Sequence, residues 1–258
     1  MASKMTQTAY RLYYWPKIPG RGEYVRLAFE LARQPYEEVN DVNVLLKHFG
    51  PASSRYGGVP QFAPPMLEVL PKDGESHFLS QTPAILAFLA PRLGLDGTAD
   101  TAVPHEIARS TVLQLTLTAL DWSNEAHDVH HPIGVGLYYE EQKPESERRA
   151  ADFRANRIPK FAAYFDAALQ SNSERNGVFR LYGKKPTVAD TTLFQVISGL
   201  YFAFPQRMNA LKESKSYPAL EKFYDEMQAE LAEYLKSERR KPYGNGLYRH
   251  YPELDAPK

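Results

Sequence analysis

A β-hairpin that leads into a helix is predicted by residues 59–89, VPQFAPPMLEVLPKDGESHFLSQTPAILAFL. The apolar run 66–69 has the length and composition of a short strand. Pro64 and Pro65 stand directly before it, where a missing N–H need not join the strand ladder. A turn-rich segment separates this run from a second apolar run at 77–79, so the two runs are expected to pair.

The helix after the hairpin begins at a polar segment that suits a helix N-terminus. Ser80, Gln81 and Thr82 precede Pro83 and a helical apolar pattern. Serine and threonine are favoured N-cap residues, and proline is favoured in the first helical turn. The first N–H groups of a helix and its positive dipole end attract carboxylates. This helix start is therefore a candidate carboxylate site.

Composition predicts a packed, soluble, cytoplasmic protein. The chain has 258 residues, of which 43% are hydrophobic and 24% are charged. Lys+Arg and Asp+Glu both number 31, and this balance argues against nucleic acid as a partner. No apolar run approaches the roughly 18 residues of a membrane span, and the first eight residues are polar. We therefore expect neither a membrane nor a nucleic-acid partner.

Cysteine is absent from the sequence. Disulfides, thiolate zinc sites and an enzyme thiol nucleophile are excluded for this chain.

A break in composition at residues 91–104, rich in Gly, Pro, Asp and Thr, divides the chain in two. We predict a first domain over residues 1–92, a linker over 93–104, and an all-helical domain over 105–258. The last part of the second domain, residues 237–258, is expected to lie extended over the surface.

The first domain reads as β-α-β-α-β-β-α, and the second as a series of amphipathic helices. Besides the hairpin, the predicted elements are strands at 10–14 and 36–42, a helix at 20–32, a short helix or loop at 43–49, and helices at 105–128, 144–170, 187–201 and 217–236. Thr187 and Asp190 have capping-box spacing at the start of the most apolar of these helices.

These features together resemble the glutathione transferases. In that family Pro65 would match the cis-proline before the third strand, and Gln81 and Thr82 would match the pair that holds the γ-glutamyl carboxylate of glutathione. The Thr187-x-x-Asp190 signature is similar to the one that opens the buried helix of the family's C-terminal domain. The resemblance implies an α/β thioredoxin-like N-terminal domain plus an all-α C-terminal domain.

The first strand and helix are similar to those of the tyrosine-type classes, including sigma and pi. Residues 13–16 read YYWP and residues 20–26 read GRGEYVR. On that match Tyr14 is the catalytic tyrosine, and Arg21 helps to hold the site or the peptide. Tyr13 is the alternative, but neighbouring strand residues point to opposite faces, so only one of the two can face the cleft.

The chemistry that this resemblance implies needs a modest free energy. A thiol of pKa near 8.5 is only slightly ionised at neutral pH. Lowering the pKa by about two units requires about 2.7 kcal/mol of preference for the thiolate. A hydrogen bond to a charged acceptor supplies roughly 1.5–3 kcal/mol, so one tyrosine hydroxyl suffices for most of it.

Two features depart from the family pattern. The loop at residues 17–19 is one residue longer than in pi-type members. Pro64 occupies the position whose N–H and C=O pair with the cysteinyl backbone of glutathione, and proline has no N–H. Losing one hydrogen bond costs roughly 0.5–1.5 kcal/mol, so we expect weaker glutathione binding or a shifted pose.

Lys47 and Arg55 are alternatives for holding the glycyl carboxylate, and a surface role is also open for each.

His127, Asp128 and His131 form a polar cluster that raises the question of a metal site. Residues four apart share a helix face, but Pro132 ends or bends a helix there and no third ligand is evident. We therefore predict no metal. The cluster is expected to cap the helix before it or to line the cleft for the second substrate.

The resemblance implies a detoxification enzyme that conjugates glutathione, as a cosubstrate, to small hydrophobic electrophiles, without a cofactor and as a homodimer. A non-catalytic protein that binds glutathione or another ligand is an alternative on the same fold. A glutathione-dependent lyase or isomerase of a biosynthetic pathway is another, because fold does not fix function.

Overall fold

The computed structural model describes residues 9–50, 59–99 and 101–255. Its first part is a four-stranded mixed sheet with three helices. The elements are β1 (Ala9–Tyr13), α1 (Gly22–Leu31), β2 (Glu37–Val39), α2 (Val42–Lys47), β3 (Met66–Leu70), β4 (His77–Ser80) and α3 (Thr82–Leu93).

The second part is helical. Its elements are α4 (His105–Asp128), α5 (Lys143–Asp152), α6 (Ile158–Asn176), α7 (Val188–Ala203), α8 (Pro205–Glu213), α9 (Pro218–Glu230) and α10 (Ala232–Leu235), with short 3₁₀ turns at Tyr139–Glu141 and Pro252–Leu254. The fold class expected from the sequence is confirmed by this arrangement.

The sheet has the strand order β2-β1-β3-β4. Strand β1 is parallel to β2 and antiparallel to β3, and β3 pairs with β4 as the predicted hairpin. The parallel β1–β2 pair requires a crossover, which α1 supplies.

Helices α1 and α3 join the sheet to the helical part. Val25 and Phe29 of α1 pack in a cluster with strand residues, whereas Tyr24, Leu27 and Ala28 belong to the large core of the helical part. Eight of the ten residues of α1 are buried for this reason. The start of α1 is therefore held from both sides.

Four elements differ from the sequence-based expectation. The helix predicted over 217–236 is two helices, α9 and α10, separated at Leu231. The helix predicted over 144–170 consists of α5 and α6 joined by a π-helical turn at Phe153–Arg157. Pro159 follows that turn and cannot donate a helical hydrogen bond, which favours the local change of helix type. Helix α8 was not expected, because its short sequence has little apolar periodicity. Strand β2 is shorter than the predicted strand.

The prediction that the C-terminal segment lies extended over the surface is only partly right, because several of its side chains are buried. Leu247, Tyr248 and Leu254 are buried in the large core. Gly199 of α7 leaves room for the ring of Tyr248, since an added Cβ there would lie only 2.3 Å from it. Aromatic side chains in this segment are thus buried, which its Arg- and Pro-rich composition does not indicate.

None of the described helices combines the length and apolarity that a bilayer span needs.

Candidate active site

The register of the sheet brings several of the predicted site residues together at one end of the strands. Tyr13 pairs with Met66 of β3, and Met66 pairs with Ser80 of β4. The residues just beyond this row are Tyr14, Pro65 and Gln81. Strand pairing places these three next to one another at one end of the sheet, although 67 positions separate the first from the last in the sequence (81 − 14).

The peptide bond between Pro64 and Pro65 is cis, as the resemblance implies. Pro65 is buried and directly precedes β3. The Pro64 carbonyl is the one backbone hydrogen-bonding group that this residue can offer to a peptide ligand.

Tyr14 lies against the first turn of α1. Its hydroxyl accepts a hydrogen bond from the backbone N–H of Arg21 at 2.6 Å. Gly20 and Gly22 permit this approach, because a Cβ on Gly20 would lie 2.2 Å from the hydroxyl and one on Gly22 would lie 2.6 Å from the ring. The Gly-Arg-Gly sequence is therefore explained by the close approach of this ring.

The Tyr14 hydroxyl is neutral, and its O–H group donates no hydrogen bond to any of the described residues. Burial raises its pKa, and the amide of Arg21 opposes that shift only in part. No group of the described residues accepts its proton. The amide polarises the hydroxyl and the proton stays available for a ligand. Only 6% of Tyr14 is exposed, so its neighbours enclose it almost completely.

Tyr13 has a different environment, although it is equally buried. Its hydroxyl donates to Oε2 of Glu68 at 2.8 Å. Burial and this carboxylate raise the pKa of Tyr13 to about 12. Its ring packs with Leu45 and Met66, as the alternation of the strand predicts. The proton of Tyr13 is already used, which leaves Tyr14 as the better candidate.

The start of α3 is open rather than capped. Serine and threonine were expected to cap it, but Gln81 occupies the N-cap position and no side chain caps the helix. Gln81 has a φ of 71°, in the region that favours glycine. The hydroxyl of Thr82 is buried without a hydrogen-bond partner. The first amides of this helix are thus directed at a position where a side chain would normally cap them.

Arg21 connects the two parts of the chain. Its side chain is exposed, and its Nη2 donates to Oδ1 of Asn124 on α4 at 2.8 Å. Arg21 thus supplies an amide to Tyr14 and a guanidinium to the cleft between the sheet and the helices. Lys47 lies at the end of α2 and has polar interactions of its own. Arg55 lies outside the described residues.

Three histidines cluster at the end of α4. The ring centroids of His127, His130 and His131 lie 4.8 to 5.2 Å apart. Burial lowers the pKa of all three, that of His130 to about 3, so the cluster is neutral at physiological pH. Nε2 of His130 donates to the Leu247 carbonyl at 3.1 Å. In the part of the chain that the structure describes, no group of three or more His, Asp or Glu side chains is placed to hold a metal ion.

Sequence reasoning missed one group of residues behind Tyr14. Glu23 and Arg26 are fully buried and form an ion pair at 3.0 Å within α1. Their spacing of three in a mostly apolar helix was an available signal. Arg240 also pairs with Glu23, and no local pattern indicates that contact.

Comparison with known proteins gives the same fold. Residues 127–238 match the glutathione S-transferase C-terminal domain family. A sigma-class glutathione transferase of Fasciola hepatica superposes with a TM-score of 0.66 at 19% identity, over 92% of this chain and 99% of that one. The chain has the glutathione transferase fold, and its residues 127–238 match the family's C-terminal domain. The resemblance stated above is confirmed at this level.

Two further structures extend the likeness. The pi-class glutathione S-transferase of Onchocerca volvulus has a TM-score of 0.62 at 19% identity, over 88% of this chain and 92% of that one. Rat hPGDS complexed with a quinoline has a TM-score of 0.63 at 19% identity, over 92% and 98%. No curated protein sequence matches the chain significantly. At such identities the glutathione transferase likeness is one of fold, and the tyrosine type and the domain boundaries stay predictions.

Proposed function

We propose that this protein conjugates glutathione to small hydrophobic electrophiles, with the Tyr14 hydroxyl stabilising the glutathione thiolate. The observation that carries the proposal is the unused proton of Tyr14 at the edge of the sheet where Pro65 and the open start of α3 also lie. A neutral hydroxyl that donates to a thiolate supplies roughly 1.5–3 kcal/mol. That range covers the about 2.7 kcal/mol that ionisation at neutral pH needs.

The steps follow from this arrangement. The γ-glutamyl carboxylate binds at the start of α3, near Gln81 and Thr82. The thiol releases its proton to solvent, and the Tyr14 O–H donates to the sulfur, while the Arg21 amide supports the phenol oxygen. The sulfur lone pair then forms a bond to the electrophilic carbon, and a leaving group departs or the adduct takes up a proton. We propose that the reaction runs in a cytoplasmic homodimer without a cofactor.

A non-catalytic ligand-binding role is the second candidate. The deep burial of Tyr14 favours it, because a sulfur needs access to the hydroxyl. Pro64 also favours it, since one backbone bond to the peptide is lost. We expect glutathione affinity below that of typical members for this reason, and a calorimetric Kd in the low micromolar range would contradict it.

The test compares Tyr14→Phe with wild type in glutathione binding and in conjugation of a chlorinated nitrobenzene. We expect Tyr14→Phe to bind glutathione but to raise the pKa of the bound thiol by one to two units. From a wild-type pKa of about 6.5, this is roughly a three- to 25-fold loss of thiolate at pH 7. Tyr13→Phe is the matched control, because it removes a buried hydroxyl that is bonded to Glu68. A Tyr14→Phe variant with unchanged thiol pKa and activity would refute the mechanism. Glutathione binding by wild type without conjugation would support the second candidate.

A further inference from the structure

A charged network behind the candidate active site begins in the C-terminal arm, residues 237–255. Nη1 of Arg240 in this arm forms an ion pair with Glu23, and only 12% of the Arg240 side chain is exposed. The same guanidinium donates to Oε1 of Gln195 on α7 and to the Tyr243 hydroxyl, both at 3.0 Å. Arg240 is thus held in a single position between α1, α7 and the arm.

Glu23 passes this contact on to Arg26. Its Oε2 accepts from Nη1 of Arg26 at 3.0 Å, and its Oε1 accepts from the Tyr234 hydroxyl at 2.6 Å. Arg26 also pairs with Glu38 of β2. Two carboxylates and two guanidinium groups therefore balance one another in the interior.

Arg26 contacts two parts of the candidate active site. Its Nη1 donates to the Pro19 carbonyl at 3.0 Å, which fixes the loop before α1. Its guanidinium lies 5.5 Å from the centroid of the Tyr14 ring. The Pro19 carbonyl also accepts from the Glu23 amide at 3.1 Å. The network therefore holds both the ring and the turn whose Arg21 amide bonds the Tyr14 hydroxyl.

We propose that Arg240 is a positioning residue of the thiolate site: by pairing with Glu23, it balances the charge of the network that holds the loop and ring of Tyr14. The inference rests on the thiolate chemistry proposed above. It assigns to the C-terminal arm a role in activity, over a separation of 217 residues between Arg240 and Glu23. Burying four charges is costly, and such networks are weak grounds for a purely stabilising role.

A positioning role and a structural role differ in the sign of their effects. Removing the charge of Arg240 leaves the network with one excess negative charge, which disfavours a nearby thiolate. Removing the charge of Glu23 leaves one excess positive charge, which favours it. A residue that only stabilises the fold would lower stability in both cases and shift the thiol pKa in neither.

The experiment measures the pKa of the thiol of bound glutathione from the ultraviolet absorbance of the thiolate, in the full chain. We expect Arg240→Gln to raise this pKa, and Glu23→Gln to lower it, each by about half to one unit. The double variant restores a balanced network and should return the pKa close to the wild-type value. Arg240→Lys keeps the charge and should recover most of the shift.

Arg180→Gln is the matched control. Arg180 is almost as buried, at 13% exposure of its side chain, and it pairs with two carboxylates of α9, Glu226 and Glu230. It has no contact with Glu23, Arg26 or Tyr14 among the described interactions, so its loss should cost stability and leave the thiol pKa unchanged.

The outcomes separate this inference from the proposed function. If wild type binds glutathione and Tyr14→Phe raises the thiol pKa, the proposed function stands. If Arg240→Gln and Glu23→Gln then leave the pKa unchanged, or shift it in the same direction, the positioning role is refuted. If Arg240→Gln does not fold, the downward shift in Glu23→Gln decides, and an unchanged or raised pKa there is the refuting result.

Discussion

The starts of α3 and α7 each contain a buried threonine that was a candidate helix cap, but the polar groups at the two starts are paired differently. Thr187 caps α7, and Asp190 accepts from its amide and its hydroxyl, each at 2.7 Å. Asp190 also accepts from the Leu181 amide at 2.8 Å, and it is fully buried. At α3, no side chain caps the helix, Gln81 has a positive φ, and the Thr82 hydroxyl has no partner.

The difference shows how the same helix dipole serves two purposes. At α7 the first amides and the dipole are neutralised inside the protein, which secures the core of the helical part. At α3 no side chain caps the helix, Gln81 has a positive φ and the Thr82 hydroxyl is unpaired, and these features support the proposal that a ligand carboxylate binds there.

The largest effect should come from removing the carboxylate at the N-terminus of α7. Asp190→Ala removes the acceptor for two amides and one hydroxyl in the interior. We expect the free energy of unfolding to fall by about 3 kcal/mol or more, because unpaired buried donors and a lost cap add up. Urea unfolding followed by circular dichroism measures it. A loss below about 1 kcal/mol would show that this start is no better satisfied than that of α3.

A smaller effect, on glutathione binding, should come from removing the Thr82 hydroxyl at the N-terminus of α3. Thr82→Val removes a hydroxyl that has no partner, so stability should stay the same or rise by about 1 kcal/mol. Rotation about the Cα–Cβ bond can direct the wild-type hydroxyl to a bound carboxylate. Glutathione affinity should therefore fall about tenfold, equivalent to about 1.4 kcal/mol.

Titration calorimetry and thermal unfolding of the same Thr82→Val sample test both halves of this prediction. Thr187→Val provides the comparison, because its hydroxyl is bonded to Asp190 and its loss should cost stability instead. A Thr82→Val protein that is clearly destabilised, with unchanged affinity, would make Thr82 an ordinary structural residue.

The smallest effect concerns the backbone of the N-cap residue of α3. Gln81→Gly relieves the positive φ, a strain of order 1–3 kcal/mol, but it also adds freedom to the unfolded chain. We expect a net gain in stability of up to about 1 kcal/mol, measured by denaturant unfolding. Ser80→Gly, one residue earlier in β4, should instead lower stability by roughly 0.5–1 kcal/mol. A loss of stability in Gln81→Gly would mean that the side chain, and not the backbone, determines this conformation.

Much of the fold was predictable because its signals are local. The periodicity of α4 gave its bounds, His105 and Asp128, and the Thr187–Asp190 spacing gave the cap of α7. The hairpin of β3 and β4 followed from two apolar runs separated by a turn. The short helix α8 and the burial of Tyr248 were not predictable, since neither has a local pattern and both depend on neighbours distant in sequence.

The sequence also identified the candidate site residues, but it could not separate Tyr13 from Tyr14 beyond strand alternation. Only the structure shows that the Tyr13 hydroxyl donates to Glu68, whereas the Tyr14 hydroxyl accepts from the Arg21 amide and donates to none of the described groups. The sequence also predicted a cap at Ser80 or Thr82. In the structure, Gln81 is at the N-cap position and the Thr82 hydroxyl is unpaired.

By itself, the sequence determined most of the helices and strands and the glutathione transferase resemblance, because hydrophobic period and capping act over a few residues. Tertiary structure alone decided which hydroxyl is free, which helix start is open, and that Arg240 pairs with Glu23. Those features depend on where packing places charges and donors that lie far apart in the chain, and no local spacing encodes such distances.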